Sequence, residues 1–140
     1  MTRHHLAAGV VAVAVASGAA LALAPAAQAA EAPGLPVPAC AADLKAALDS
    51  NAAALDADSV GDTADARTHN LRTLVILAGA RLDCFCQPAQ VHADIIAAAT
   101  DGVHAAVSNA IGDSAAALNS EDSVAAELTD ALEVVAYAEV

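Results

Sequence analysis

The chain has 140 residues, 58 % of them hydrophobic and 1 % aromatic, with 17 acidic side chains against five basic ones and a formal net charge of −12. A surface this acidic repels phosphate backbones and anionic lipid headgroups, so electrostatic binding to nucleic acid or to a membrane surface is not expected. Phe85 and Tyr137 are the two aromatic residues and tryptophan is absent, which leaves little material for a sugar-stacking platform or an aromatic-anchored interface.

Arg3, His4 and His5 precede an unbroken run of apolar and small residues from Leu6 to Leu23. Pro25 breaks the run, and Ala27-Gln28-Ala29 has the A-x-A form of a cleavage site. Residues 1–29 are therefore expected to be a secretory signal peptide. The run approaches the length of a membrane-spanning helix, but its small residues and the adjoining cleavage site favour removal, leaving no stable membrane anchor. No Arg-Arg pair marks the twin-arginine route. Cys40 lies too far beyond the apolar run to be a lipid-modified cysteine. The expected product is a secreted chain of one domain with four basic and 17 acidic side chains, a net charge of −13 once Arg3 is gone. Its alanine richness, and one lysine against four arginines in the whole chain, fit a GC-rich bacterial coding bias.

Residues 30–39 carry Pro33, Pro36 and Pro38 without periodicity and read as an extended spacer before a single Ala-rich helical domain over residues 40–140. The first predicted helix covers residues 41–56, with Leu44, Ala47, Leu48, Asn51 and Leu55 on one stripe and Cys40 projecting onto its start. A polar connection with Gly61 follows. The second predicted helix covers residues 63–85, and its seam is Leu71, Leu74, Val75, Ala78, Leu82 and Phe85. At Leu74–Leu77 this helix is apolar nearly all round, which implies neighbours on more than one side. Gly79 in its interior costs roughly 1 kcal/mol relative to alanine, a cost that a close helix crossing could offset.

Pro88 suits the first turn of a third helix. Val91, Ile95, Ile96, Ala99, Val103, Ala106 and Val107 share one broad face of it, Asp94, Asp101 and Ser108 lie opposite, and Gly112 ends it. Asp113 or Ser114 would begin a short Ala-rich turn. Ser120 would then cap a fourth helix, with Glu121 and Asp122 in its first turn and Val124, Leu128, Ala131, Leu132 and Val135 inside. No strand-like alternation and no internal repeat of fixed period are apparent. The fold class expected is all-α: a small antiparallel up-and-down bundle of about four helices after a cleaved signal peptide.

Three cysteines in an exported chain imply one disulfide and one spare thiol. In an antiparallel hairpin the start of the first helix lies beside the end of the second. Cys86 falls at the edge of the seam through Leu71 whereas Cys84 falls well round from it, which favours Cys40–Cys86, with Cys40–Cys84 as the alternative. The spare cysteine could link two chains. A second chemistry for Cys-Phe-Cys is metal or haem ligation by Cys84, Cys86 and His92, and a third is a strained, readily exchanging C-x-C disulfide. No second cysteine pair completes a zinc set and no βαβ pattern surrounds the motif, so neither metal nor cofactor is the leading expectation.

Asp56-x-Asp58-x-x-Gly61 resembles the start of a calcium loop, but Val60 and Arg67 occupy positions where an oxygen ligand and a bidentate acid are required. His69, His92 and His104 form no i, i+4 ligand pair. No nucleophile elbow, zincin motif, phosphate loop or carboxylate pair is present, and an enzyme is not expected. What remains is a non-catalytic binding or structural component of the cell exterior, with a protein or cell-envelope partner and no nucleic-acid partner.

Overall fold

The computed structural model describes residues 37–138, which form four helices: α1 (Val37–Ser59), α2 (Thr63–Asp83), α3 (Ala89–Ala110) and α4 (Ser114–Ala138). The expected signal peptide and most of the expected spacer lie outside the described residues. No strand occurs among those that are described. The helices pack α1 on α2, α2 on α3, α3 on α4 and α4 on α1, a closed ring around one core. The core is filled by Leu44, Leu77, Val91, Ile95, Val124, Leu128 and Val135, with alanines between them.

Each boundary has a local cause. Asp62 caps α2 by accepting from the Asp65 amide at 3.1 Å, and Asp113 does the same for α4 through the Ala116 amide at 3.1 Å. The preceding helices end on glycines in the left-handed region, Gly61 at φ 80° and Gly112 at φ 79°. Beside them, the Asp62 amide donates to the Ala57 carbonyl and the Asp113 amide to the Ser108 carbonyl, which satisfies helix-end acceptors. Pro88, extended at ψ 151°, stands as the residue before α3.

The element limits depart from expectation at four places, the first being the end of α1, which runs three residues past 56 to Ser59. α1 begins at Val37, so the last residues of the expected spacer are helical. α2 stops at Asp83, and residues 84–88 make the turn. α4 runs unbroken from Ser114, so Ser120 is an interior residue and Asp113 is the cap. Nothing between Ser114 and Ala138 is a glycine or proline, and the alanines there are strong helix formers.

The larger departure is rotational. The inner face of α2 is Ala66, Asn70, Thr73, Leu77 and Ala80, not the seam through Leu71. Leu71, Val75, Leu82 and Phe85 face outward, with Leu82 77 % and Phe85 78 % exposed. α3 is turned likewise: Asp94 is buried, and Ile96, Val103 and Val107 are about half exposed. The tight crossing expected at Gly79 is found instead at Gly102, where an added Cβ would stand 3.1 Å from Leu74 Cδ2; at Gly79 the nearest atom would be 3.9 Å away.

The two halves also repeat, contrary to the reading of the sequence. Val60-Gly61-Asp62-Thr63-Ala64 and Ile111-Gly112-Asp113-Ser114-Ala115 are the two glycine turns, and the interhelical bonds Asn70–Glu121 and Asn109–Asp58 each span a separation of 51 residues. At that offset the buried residues correspond: Leu44 with Ile95, Ala54 with Ala105, Asp58 with Asn109, Asn70 with Glu121, Leu77 with Leu128 and Cys84 with Val135. Most identities at that offset are alanines, which dominate both halves, so the correspondence lies in which positions are buried.

Candidate functional site

The disulfide joins Cys40 to Cys84. This corrects the favoured pairing with Cys86, and the reason is the rotation of α2. Cys84 continues the true inner stripe Leu77–Ala80 and is fully buried, while Cys86 is exposed and unpaired. Cys40 continues the Leu44–Ala47 stripe of α1 in the same way. The bond therefore closes the end of the α1–α2 hairpin remote from its glycine turn. With its sulfur in that bond, Cys84 is not a thiolate ligand, and no C-x-C disulfide forms. His92 is half-buried on α3, and among the described residues no group of three or more His, Cys, Asp or Glu side chains is disposed to hold a metal ion.

The remaining histidines have ordinary surroundings. His69 lies 3.8 Å from Asp65 and His104 lies 3.7 Å from Asp101, each on its own helix. Asp56 is exposed, but Asp58, from the same calcium-like stretch, is 3 % exposed and points into the bundle.

Asp58 belongs to a polar cluster that the reading of the sequence missed. Near the end of the bundle with the two glycine turns, the core changes from alkyl groups to Asn51 and Asp58 of α1, Asn70 of α2, Asn109 of α3 and Glu121 of α4, each at most 4 % exposed. Asn70 Nδ2 donates to Glu121 Oε1 at 2.6 Å. Asn109 Nδ2 donates to Asp58 Oδ2 at 2.8 Å and more weakly to Glu121 Oε1 at 3.4 Å. Asn51 Nδ2 donates to the Glu121 backbone carbonyl at 2.8 Å. Two acid–amide pairs thus occupy corresponding positions of the two halves. Asp58 Oδ1 and Glu121 Oε2 have no hydrogen-bond partner although both are buried. Burial raises the Glu121 carboxyl from its ordinary range to about 7; the amide of Asn70 opposes the rise and the neighbouring Asp58 adds to it.

A signal for this cluster exists in the sequence. Asn51 and Asp58 continue the Leu44–Ala47 stripe at helical spacing, and Glu121 lies one turn before Val124 on the stripe that continues to Leu128 and Val135. Assigning Glu121 to a helix N-terminus, where acids need no further explanation, concealed it.

Two further acid groups bridge helices. Burial, then a hydrogen bond and charge from Asp83 of α2, raise the Asp43 carboxyl of α1 beside the disulfide. Between α3 and α4, burial and the charges of Asp101, Asp94 and Asp130 raise Glu127 to about 7.

The outer surface of α2 and α3 carries the other distinctive feature. Leu74, Ala78, Leu82 and Ala99 line an open apolar groove of about 410 Å³ with Arg81 at its wall, and Ile96, Thr100, Val103 and His104 continue it along α3. The three arginines of the described chain, Arg67, Arg72 and Arg81, all lie exposed on α2, where no acid occurs between Asp65 and Asp83. Comparison with protein-family models, with curated proteins and with solved structures finds no match to this chain.

Proposed function

We propose that this is a secreted binding module, an antiparallel up-and-down bundle released from its signal peptide, whose α2–α3 outer face takes an acidic amphipathic helix of another protein. The observation that carries the proposal is the exposed stripe Leu71, Val75, Leu82 and Phe85, with Val75 74 % exposed. Leaving such a stripe in water forgoes about 25 cal/mol for every Å² that a partner could cover. Contiguous apolar surface of this kind marks an interaction site. The adjoining groove has the form that receives the apolar face of a helix.

Charge selects the partner. The stripe is flanked by Arg67, Arg72 and Arg81 in a chain that is otherwise strongly acidic. An acidic partner would be attracted to this face and held in register, whereas a second copy docked α2 to α2 would set arginine against arginine. The module needs no catalytic group to act this way.

The test uses a capped helical peptide with leucines on one face, glutamates on the other and a single tryptophan. Because the chain itself has no tryptophan, the peptide's fluorescence reports binding without background. Saturable binding that is lost in Leu82→Glu and weakened by Arg81→Glu is the expected result. Equal binding of a lysine-faced peptide, or binding unaffected by Leu82→Glu, would overturn the proposal.

A further inference from the structure

The two unpartnered carboxylate oxygens sit in the same polar cluster, and the Asn109 amide nitrogen reaches both carboxyl groups, Asp58 Oδ2 at 2.8 Å and Glu121 Oε1 at 3.4 Å. Glu121 is fully buried and Asp58 is 3 % exposed. Among the described residues, no lysine, arginine or histidine makes a hydrogen bond or ion pair with either acid; their side-chain partners are the amides of Asn70 and Asn109. Two ionised carboxylates gathered around one amide away from water, with no countercharge, are strongly disfavoured. One proton removes the conflict. Bound to one carboxyl, it makes an O–H that donates to the other, and both orphan oxygens gain a partner.

We propose that Asp58 and Glu121 form a buried proton-binding site in which one shared proton latches the α1–α2 hairpin to the α3–α4 hairpin. The position supports this. The disulfide lies within the first hairpin, at the opposite end of α1, and ties neither hairpin to the other. At the glycine-turn end, the named polar links between hairpins are those of Asn51, Asn70 and Asn109 around the two acids. Losing the proton to solvent takes the pair from one negative charge to two, with no covalent change, and places like charges on α1 and α4 across the interface between the hairpins. The latch is closed in acid and opens as the solution becomes alkaline.

The groups facing the pair are few. α1 contributes Asp58 itself and Asn51, α2 contributes Asn70, and α3 contributes Asn109, so the only ionisable groups in the cluster are the two acids. Asp65 and His69 of α2 pair with each other at 3.8 Å. The amide hydrogens of Asn70 and Asn109 point at carboxylate oxygens, an arrangement that suits a partly charged acid pair and would have to turn away to admit a metal cation.

The test is made in a chain carrying Asp43→Asn and Glu127→Gln, which removes the other raised carboxyls. In EDTA, infrared spectra of this protein should contain one carboxylic-acid carbonyl band near pH 6 that is lost by pH 9 and absent from a further Glu121→Gln variant. The folding equilibrium constant from urea titration should fall at least about tenfold over the same range, the equivalent of one unit of proton affinity. Glu121→Gln, which supplies a permanent donor to Asp58, should abolish most of that fall. If Glu121→Gln does not fold, Asp58→Asn serves in its place, and the infrared band of the parent stands without either. Absence of the band overturns the proposal. So does restoration of stability at pH 9 by millimolar calcium, magnesium or sodium in the parent, because the site would then hold a metal cation.

Discussion

Gly102 of α3 lies directly beneath Leu74 of α2: a methyl group added at Gly102 would come within 3.1 Å of Leu74 Cδ2. That distance is tight, but the atom it meets is the far end of a half-buried side chain that borders the open groove. Leu74 can tilt toward the groove, and alanine in a helix interior is favoured over glycine by about 1 kcal/mol. Gly102→Ala should therefore stabilise the protein slightly, by up to about 1 kcal/mol, as read from the urea midpoint. Gly102→Leu cannot be accommodated by one side chain and should destabilise by roughly 1–3 kcal/mol. If Gly102→Ala proved as damaging as Gly102→Leu, the close α2–α3 approach would be more rigid than the position of Leu74 implies.

The rotation of α2 makes a second prediction. Leu77 is 1 % exposed and Val75 is 74 % exposed, two positions apart on one helix. Leu77→Ala should cost about 2–5 kcal/mol through lost burial and a cavity. Val75→Lys should change stability by no more than about 0.5 kcal/mol. Had the seam through Leu71 been the inner one, Val75→Lys would be the damaging change of the two, so thermal unfolding of this pair of variants decides the orientation.

This rotation is also where the sequence was least legible, and the cause is specific. The number of helices, most of their limits and the inner face of α4 follow from glycine turns, caps and helical spacing. On α2, hydrophobicity alone selects Leu71, Val75 and Leu82. The inner face is instead set by what the neighbouring helices offer: an acid at Glu121 for Asn70, a cysteine at Cys40 for Cys84 and small residues for close approach. Those partners lie tens of residues away in the chain, and a single-helix wheel contains none of them. The disulfide follows from the same rotation: Cys86 sits at the edge of the hydrophobic seam, which faces solvent, and Cys84 on the inner stripe that meets Cys40. The polar cluster was legible in principle, as polar residues at core spacing on all four helices, but Asp58 and Glu121 had innocuous local readings, in a polar connection and at a helix start.

The disulfide offers a third prediction. Closing a loop with a sequence separation of 44 residues limits the unfolded chain by roughly 4 kcal/mol on the chain-entropy account. Cys40→Ser should lower stability by about that amount and leave two free thiols, whereas Cys86→Ser should leave stability unchanged. Alkylation of the native protein under non-reducing conditions should add one label, on exposed Cys86, and alkylation after reduction and unfolding should add three, one for each cysteine in the sequence. A native protein that takes no label would place Cys86 in a bond between two chains.

Glu127 gives the last prediction, separate from the acid pair at Asp58 and Glu121. Its Oε2 is buried without a hydrogen-bond partner, and burial together with Asp101, Asp94 and Asp130 raises its pKa to about 7. A carboxyl whose affinity for protons is higher folded than unfolded favours the folded state while it is protonated. Its contribution is complete below the unfolded value of 4.5 and is lost as pH rises through about 7. Glu127→Gln keeps the shape, supplies a donor to the surrounding acids and removes the ionisation. It should therefore be nearly neutral at pH 4 and stabilising by roughly 1 kcal/mol at pH 8, the discount from the full shift reflecting the partial exposure of Glu127 to water. Asp101→Asn should act in the same direction with a smaller effect, because it removes one of three repelling charges and leaves the burial intact. Urea titrations of the three proteins at both pH values would check this. A Glu127→Gln variant less stable than wild type at pH 8 would mean that the ionised side chain makes a favourable contact which its burial among acids does not suggest.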